Sequence, residues 1–245
     1  MKVSRFQSAI RLIYPARCTF CGGLVDSDFG LCGPCWRDTP FIAGQTCHAC
    51  GVPLLAGPDA PDDTLTCDDC LRTPRPWRQG RAALVYGGNG RRMVLKLKHG
   101  DRQDMAGPAA VWMSRAAKPL LRADTLIAPI PLHWLRLLKR RYNQSVLLAR
   151  ALAAEVERPM CPDLLIRPRA TPSLGGMGRD ARHATMEGTI RMHPKRHQRV
   201  KGRHVLLVDD VMTSGATLSA ATHACLAAGA AGVDILVLAR AAKDT

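Results

Sequence analysis

Residues 205–218 read VLLVDDVMTSGATL, and this stretch decides the fold of the chain. Four apolar residues come first, as in a strand buried within a parallel sheet. Asp209 and Asp210 follow, and a turn that contains Gly215 then leads into an alanine-rich segment. The pattern predicts a strand over 204–208, a tight turn and a helix over 216–228.

The turn has the chemistry of a phosphate site. Unpaired backbone amides at the start of a helix attract an anion, and the hydroxyls of Thr213, Ser214 and Thr217 lie in the same segment. We therefore predict a cradle for a phosphomonoester, with the two acids placed to accept hydrogen bonds from vicinal sugar hydroxyls. The alternative is an ordinary turn in which Ser214 or Thr213 caps the helix, which leaves both acids without a role.

Segments typical of strands and of helices alternate from residue 81 onward. Alternation of this kind predicts an α/β domain with a largely parallel sheet, whose ligands bind at the carboxyl ends of the strands. The predicted strands cover residues 82–86, 126–130, 204–208 and 233–238, and the predicted helices cover residues 91–99, 105–121, 144–156 and 216–228.

Eight of the ten cysteines form Cys-x-x-Cys pairs within residues 18–70. Two such pairs supply the four thiolates of a structural Zn²⁺ site, so four pairs predict two zinc ions. Gly22 and Gly51 follow the first and third pairs, which favours metals shared by consecutive pairs. Crossed pairing and redox-active dithiols are the alternatives. The predicted ligands are Cys18, Cys21, Cys32 and Cys35 for one ion, and Cys47, Cys50, Cys67 and Cys70 for the other.

Composition sets the class of protein. The 245 residues are 47% hydrophobic and 22% charged, which excludes a disordered or collagen-like chain. No apolar run reaches the roughly 18 residues of a membrane helix, so we expect no membrane insertion. The formal charge of +15 comes entirely from residues 81–245. Residues 167–203 hold ten basic and two acidic residues, which favours binding of a polyanion such as single-stranded DNA over a merely solvated face.

The order of these features predicts the domain organisation. Residues 1–16 mix basic and apolar side chains and lack the apolar core of a secretory signal, which predicts a cytoplasmic protein. The prolines within residues 72–77 predict an extended connector. We therefore expect an N-terminal helix at 1–17, a double zinc ribbon at 18–77 and the α/β domain at 78–245.

The segment around Asp209 and Asp210 resembles the phosphoribosyl pyrophosphate (PRPP) signature of type I phosphoribosyltransferases. A double zinc ribbon ahead of such a domain resembles the ComF family, which is linked to the use of external DNA in bacteria. Three further segments are similar to that family: LKLKHG at 95–100, APIPL at 128–132 and RRYNQ at 140–144. The resemblance implies a type I phosphoribosyltransferase-like sheet domain that binds PRPP together with Mg²⁺.

The resemblance also implies roles for individual residues. Asp209 and Asp210 would hold the ribose hydroxyls, and the loop after them would hold the 5′-phosphate. Neutralising the departing diphosphate requires cations, for which Arg140 is the candidate catalytic residue and Lys98, Arg179 and Arg182 are candidate diphosphate ligands. The residues assigned to the 5′-phosphate loop are Met212, Thr213, Ser214, Gly215, Ala216 and Thr217.

The chain departs from the family pattern at three positions. The family usually has Gly where this chain has Arg141, and it tends to have Gln and Asn where this chain has Leu174 and Thr185. The last two positions belong to a segment, 171–188, that we expect to close over bound diphosphate. Their substitution bears on transferase activity and leaves the 5′-phosphate loop unchanged.

Three functions are compatible with these residues. The first is an enzyme that transfers phosphoribosyl to an unidentified acceptor. The second is a PRPP-responsive protein that handles single-stranded DNA. The third is a scaffold that docks DNA-uptake or recombination proteins through the ribbons.

Overall fold

The computed structural model describes residues 15–28, 30–54, 65–99, 102–172 and 176–242. The N-terminal helix is predicted at 1–17, and only residues 15–17 of that range belong to the described part. Within it, two five-residue helices belong to the ribbons, and the other helices lie among the strands of the rest of the chain. The helices are α1 Gly33–Arg37, α2 Asp68–Arg72, α3 Gly88–His99, α4 Ala106–Ala117, α5 Trp134–Arg140, α6 Gln144–Glu155, α7 Arg179–Met186, α8 His197–Val200 and α9 Ala216–Ala227. The strands are β1 Gln79–Val85, β2 Leu126–Pro129, β3 Leu165–Ile166, β4 Arg191–Met192, β5 His204–Met212 and β6 Gly232–Arg240.

Four of the strands form one parallel sheet in the order β1, β6, β5, β2. The two central strands, β5 and β6, are apolar along most of their length because helices cover both faces of the sheet. Strands β3 and β4 form a separate antiparallel pair. The predicted α/β class with a parallel sheet is confirmed.

Alternate residues of β5 enter two separate cores. Val205 and Leu207 pack on one face with α9, and Leu206 and Val208 pack on the other face with α3, α4 and α6. Each of these four side chains is almost completely buried. The period of two along the strand therefore places the carboxyl end of β5 between two helical layers.

Strand β5 is longer than the sequence predicts. The predicted strand ends at Val208, whereas pairing with β6 continues to Met212, which lies opposite Arg240. The two acids therefore lie within the last half of the strand and not beyond its end. Ladder hydrogen bonds to β6 outweigh the low strand propensity of aspartate here.

The zinc ribbons pack onto the two faces of the sheet beside β1. Phe20 of the first ribbon stacks on Trp112 of α4, with ring centroids 6.3 Å apart. Trp77, just after the second ribbon, is 4% exposed and belongs to the α9 core. The segment between the ribbons pairs with the edge of β1, where the N–H of Ile42 donates to the oxygen of Ala83 over 3.0 Å. The residues on both sides of position 78 are thus packed together, and the domain division at that position stays a prediction.

The second ribbon approaches β1 at backbone distance. Gly51 has a φ of +69°, and a Cβ there would lie 2.8 Å from the Cα of Arg81. A Cβ on Gly80 would lie 2.6 Å from the oxygen of Ala49. These two glycines are required because any side chain would push the ribbon away from the sheet.

Arg141 has a strained backbone conformation at the end of α5. It ends α5 with a φ of 65°, the left-handed conformation that a residue with a Cβ adopts at a cost of roughly 1–2 kcal/mol. We predict that Arg141→Gly is more stable than Arg141→Ala by about 1 kcal/mol, because both lose the side chain and only glycine relieves the strain. In a chain of this size that difference raises the melting temperature by about 2–4 °C.

Thermal unfolding of the two variants measures this difference. The control pair is Ala154, an exposed residue within α6, against Ala154→Gly. There glycine lowers the melting temperature, as it does in any regular helix. An Arg141→Gly protein less stable than Arg141→Ala would contradict the strain argument.

Candidate functional site

The eight paired cysteines form two clusters. Within each cluster the four sulfurs lie within 4.8 Å of one another, and the members are consecutive pairs. Sequential pairing is therefore confirmed and crossed pairing is excluded. The sulfurs of Cys21 and Cys32 lie 3.6 Å apart and those of Cys50 and Cys67 lie 3.7 Å apart, which matches about 3.8 Å between ligands of a tetrahedral ion with 2.3 Å Zn–S bonds. The two clusters, the first tetrad (18, 21, 32, 35) and the second tetrad (47, 50, 67, 70), are the structural zinc sites of a double ribbon.

Each tetrad is preorganised by its backbone. Gly22 and Gly51 take positive φ, and their N–H groups donate to the oxygens of Cys18 and Cys47. The N–H of Cys67 points at the sulfur of Cys47 over 3.3 Å. Hydrogen bonds from the thiols of Cys50 and Cys70 lower the pKa of Cys47 far below its usual range, although burial opposes this. A thiolate is therefore favoured where zinc needs one.

The acid pair lies at the carboxyl end of β5, and each acid has a different partner. Oδ1 of Asp209 accepts from the hydroxyl of Ser145 over 2.7 Å and from the N–H of Asp210 over 2.9 Å. Oδ2 of Asp210 lies 3.1 Å from Nζ of Lys98. Burial, followed by the negative charge of Asp210, raises the pKa of Asp209 to about 7. The pair thus concentrates negative charge in a largely enclosed place.

Three elements converge to hold these partners. Lys98 belongs to the last turn of α3, and Ser145 to the first turn of α6. Asn143 caps α6 by accepting from the N–H of Ser145 over 3.0 Å, and its Nδ2 donates to the oxygen of Ile130 over 2.9 Å. The hydroxyl of Tyr142 donates to the oxygen of Leu97 over 2.7 Å. The segment YNQS therefore ties α3, β2 and β5 together around the acids.

The loop after β5 turns sharply into α9. Gly215 precedes the helix with a φ of +83°, and a Cβ there would lie 2.9 Å from Cε of Met212 and 3.0 Å from the ring of Trp77. Nη1 of Arg182 donates to the hydroxyl of Thr213 over 3.1 Å. We call residues 212–217 the phosphate loop, since it presents hydroxyls and a helix start beside a cation.

Two arginines that sequence reasoning missed hold this loop from behind. Arg240 ends β6, and its Nη1 donates to the oxygens of Met212 and Thr213 over 3.2 and 2.9 Å. Nη1 of Arg75 donates to the oxygen of Ser214 over 2.8 Å. An arginine that directly follows the apolar run 235–239 is a signal that could have pointed to Arg240. Arg75 lies among the prolines of the predicted connector and carries no such signal.

The basic residues that the sequence predicts to neutralise diphosphate lie at separate places in the structure. Lys98 lies beside the acids and Arg182 beside the phosphate loop, as stated above. Nη1 of Arg140 donates to Oε1 of Gln144 over 3.3 Å at the junction of α5 and α6. Arg179 is bonded to Asp69 of the second ribbon and to the hydroxyl of Thr73 over 3.2 Å. Thr185 bonds within α7, whereas Leu174 lies outside the described residues.

The basic residues of 167–203 do not form one surface. Arg167 is 7% exposed, and burial followed by the charge of Arg136 lowers its pKa to about 10. Arg196 forms an ion pair with Asp163 over 2.7 Å. Five of the ten are exposed, namely Arg169, Arg191, Lys195, Arg199 and Lys201.

A cavity of about 740 Å³ opens between the second ribbon, α7 and the phosphate loop. Apolar side chains from residues 52–54 line one side. Arg72, Arg182 and Thr213 line it as well, so the cavity joins polar and apolar surfaces next to the loop. Its size and mixed lining suit a small organic ligand.

Comparison with known families identifies both parts of the chain. Residues 9–71 match the double zinc ribbon domain and residues 143–245 match the phosphoribosyl transferase domain. Solved structures are more distant, as with the allosteric regulatory enzyme of purine biosynthesis, which is 16% identical over 59% of this chain and 30% of that chain at a TM-score of 0.39. The two domain matches show a double zinc ribbon followed by a phosphoribosyltransferase-like domain.

Curated relatives match almost the whole chain. The DNA utilization protein YhgH of Escherichia coli K12 is 28% identical over 94% of this chain and 99% of its own length. Competence protein F of Haemophilus influenzae is 23% identical over 92% and 97%, and competence protein ComFC of Bacillus subtilis is 25% identical over 89% and 87%. The two domain matches and the names of these relatives are consistent with the ComF family. Helices in its described part are all too short or too polar to cross a bilayer.

The raised pKa of Asp209 predicts a pH dependence of stability. A carboxyl whose folded pKa is about 7 against an ordinary 3.8 holds a proton that the unfolded chain releases, so stability is lost as the pH rises from about 4 through 7. Asp209→Asn keeps an acceptor for Ser145 and removes this loss. We predict that Asp209→Asn melts at a higher temperature than the parent at pH 8, and that the difference shrinks towards pH 5.

Asp163→Asn is the matched control. A hydrogen bond from Arg196 lowers the pKa of Asp163, so its charge stabilises the fold at neutral pH and the substitution lowers the melting temperature at pH 8. Equal and pH-independent shifts in both variants would show that the pKa of Asp209 is not raised in the folded protein.

Proposed function

We propose that this chain binds PRPP with Mg²⁺ at the acid pair and the phosphate loop, and that this site serves the use of DNA. One observation carries the proposal: the acid pair and a glycine-dependent helix start lie on a single strand–turn–helix, with Lys98 and Arg182 beside them. This combination offers acceptors for ribose hydroxyls next to donors for a phosphate.

The 5′-phosphate would lie at the start of α9. Helix α9 is 12 residues long, and the positive end of its dipole favours an anion there. The hydroxyls of Thr213, Ser214 and Thr217 add donors, and Arg182 adds a charge within reach of Thr213. Gly215 has no side chain and Ala216 has only a methyl group, so neither fills the cradle.

The ribose would lie over the acids. Carboxylates of Asp209 and Asp210 accept from the 2′- and 3′-hydroxyls in charge-assisted hydrogen bonds. Ser145 and Lys98 hold one oxygen of each acid and leave the others for the sugar. Lys98 also reduces the repulsion between the two carboxylates, which belong to consecutive residues.

The diphosphate would bring Mg²⁺ with it. Magnesium bound to phosphates keeps several waters and uses few protein ligands, so it requires no cluster of acids here. Lys98, Arg140 and Arg182 would neutralise the diphosphate, whereas Arg179 must first leave Asp69 to take part. Transfer of phosphoribosyl to an acceptor, with Arg140 as the catalytic cation, is the reaction that such a complex allows.

The relatives' names connect the family to DNA. They are called DNA utilization and competence proteins, and the five exposed basic residues within 169–201 supply positive surface in this chain. We therefore propose single-stranded DNA as a second ligand in the cytoplasm, with DNA-uptake or recombination proteins as partners. The phosphate loop would then act as a PRPP-responsive element of a DNA-handling protein.

Calorimetric titration separates the two halves of the PRPP site. Asp210→Asn keeps the shape and removes the charge, so we predict that PRPP binds about 10- to 150-fold more weakly, as expected for about 1.5–3 kcal/mol. Gly215→Val places a branched side chain against Met212 and Trp77, and we predict loss of PRPP and of ribose 5-phosphate. No heat with the parent at millimolar PRPP and Mg²⁺ would refute the assignment.

The DNA proposal predicts a salt dependence. If Lys195, Arg199 and Lys201 each contact a phosphate, replacing all three with alanine reduces the slope of log K against log salt by about 2 on single strands, since each contact contributes about 0.7. The control replaces the exposed Arg115, Lys118 and Arg122, which removes the same charge elsewhere. Equal slopes in both triple variants would place the DNA on another surface.

A further inference from the structure

The phosphate loop is held from behind by a buried guanidinium that also faces a cysteine sulfur. Arg240 is 5% exposed at the end of β6. Its Nη1 binds the oxygens of Met212 and Thr213, and its Nη2 lies 3.8 Å from the sulfur of Cys50. One planar side chain thus spans the loop and the second tetrad.

Arg75 makes the same bridge independently. Its side chain is 2% exposed, its Nη1 binds the oxygen of Ser214 over 2.8 Å, and its Nε points at the sulfur of Cys70 over 3.3 Å. Its Nη2 pairs with Asp69 over 2.9 Å. Three consecutive loop carbonyls, 212 to 214, are therefore bound by guanidinium groups that also contact the second tetrad.

Trp77 also connects the second ribbon with the turn at Gly215. Its Nε1 donates over 2.5 Å to the oxygen of Ala49, which lies between Cys47 and Cys50 in the chain. A Cβ on Gly215 would lie 3.0 Å from the ring of Trp77, and the guanidinium of Arg75 lies 5.8 Å from the ring centre. Trp77 and Arg75 thus pack against the sharp turn at Gly215.

Charge explains why arginine stands at both positions. A filled Cys₄ zinc site has four thiolates around one divalent ion and carries a net charge of −2. Two buried guanidinium groups neutralise this charge, and each has further N–H groups in a rigid plane to reach the loop. Lysine has the charge but lacks the planar fork that binds two partners on opposite sides.

The first tetrad has a different setting. It packs on the other face of the sheet, where Cys18, Cys35 and Phe20 join the core of α3 and α4. Nζ of Lys96 donates to the oxygen of Phe20 over 3.5 Å, and Arg17 donates to the oxygen of Gly22. These contacts stabilise the ribbon against helices and not against the phosphate loop.

We propose that Arg75 and Arg240 are positioning residues that couple the second zinc site to the phosphate loop, so that the filled second tetrad holds the loop in its anion-binding conformation. This inference rests on the proposed function for its ligand. The coupling itself is a property of the loop's conformation, which can be measured without any ligand.

Backbone amide hydrogen exchange of a peptide covering residues 212–218 is the first measurement. In Arg75→Gln and in Arg240→Gln we expect faster exchange of this peptide while both zinc ions are retained, because the loop carbonyls lose their donors. Arg75→Lys and Arg240→Lys restore the charge without the planar fork and do not restore slow exchange. Two variants at separate positions keep the test valid if one of them fails to fold.

Arg78→Gln is the matched control. Arg78 pairs with Asp234 over 2.7 Å at the other end of β1 and β6, so its loss costs stability without touching the loop. We expect it to leave exchange of residues 212–218 unchanged. Equal exchange of this peptide in the parent, in Arg78→Gln and in both bridging variants would overturn the proposal.

Affinity for ribose 5-phosphate is the second measurement. We expect the parent to bind it, and Arg75→Gln and Arg240→Gln to bind it about tenfold more weakly or worse, with Arg78→Gln like the parent. Because linkage is reciprocal, saturating ribose 5-phosphate slows transfer of zinc to a chelator in the parent and has no such effect in the two bridging variants. Unchanged affinity in both bridging variants would overturn the coupling.

The two measurements distinguish the two proposals. If the parent binds neither PRPP nor ribose 5-phosphate but loop exchange rises in the bridging variants, the proposed ligand is wrong and the coupling stands. If the parent binds both ligands and loop exchange is unaffected by either variant, the ligand stands and the coupling is wrong.

Discussion

The parallel pairing of β5 with β6 is the constraint on which the rest of the structure depends. It runs from His204 opposite Gly232 to Met212 opposite Arg240, well past the apolar part of β5. Because the ladder continues through the acid pair, the two carboxylates are held by the backbone of the central strands and not by a loose turn. The same ladder places Arg240 beside the loop that follows β5, so one set of hydrogen bonds positions both sides of the site.

Basic side chains lie on both sides of the acid pair and the phosphate loop. Lys98 lies beside the two carboxylates on one side. On the other side, Arg75 and Arg240 donate to the loop carbonyls and contact the second tetrad. Buried charges are tolerated only when they are paired and hydrogen-bonded, and each of these arginines has more than one partner. Lys98, Arg75 and Arg240 thus each have a partner without any ligand.

The sequence predicted local features well and long-range contacts poorly. The Cys-x-x-Cys spacing and the glycines after two pairs were enough for the ligands and the sequential pairing, because the ligands of each knuckle are close in the chain. The alternation of segments predicted the parallel sheet. The sequence did not predict the roles of Arg75 and Arg240, because their partners lie 139 and 27 residues away and no short pattern encodes such contacts. Strand propensity likewise failed at Asp209 and Asp210, where tertiary pairing overrides it.

The arrangement of the ribbons also follows from the needs of the sheet. A parallel sheet of four strands has two edges whose unpaired backbone groups invite association with another chain. Residues 40–42, between the ribbons, cover the edge of β1, and residues 159–161 cover the edge of β2 through hydrogen bonds to Ile127. The ribbons are therefore anchored to the sheet through the segment that joins them, one on each face. A small module that depends on metal for its stability gains a rigid support in this way, and the sheet gains a protected edge. This mutual dependence explains why the second ribbon can reach the phosphate loop at all: its position is set by β1, whose register with β6 also sets the position of Arg240.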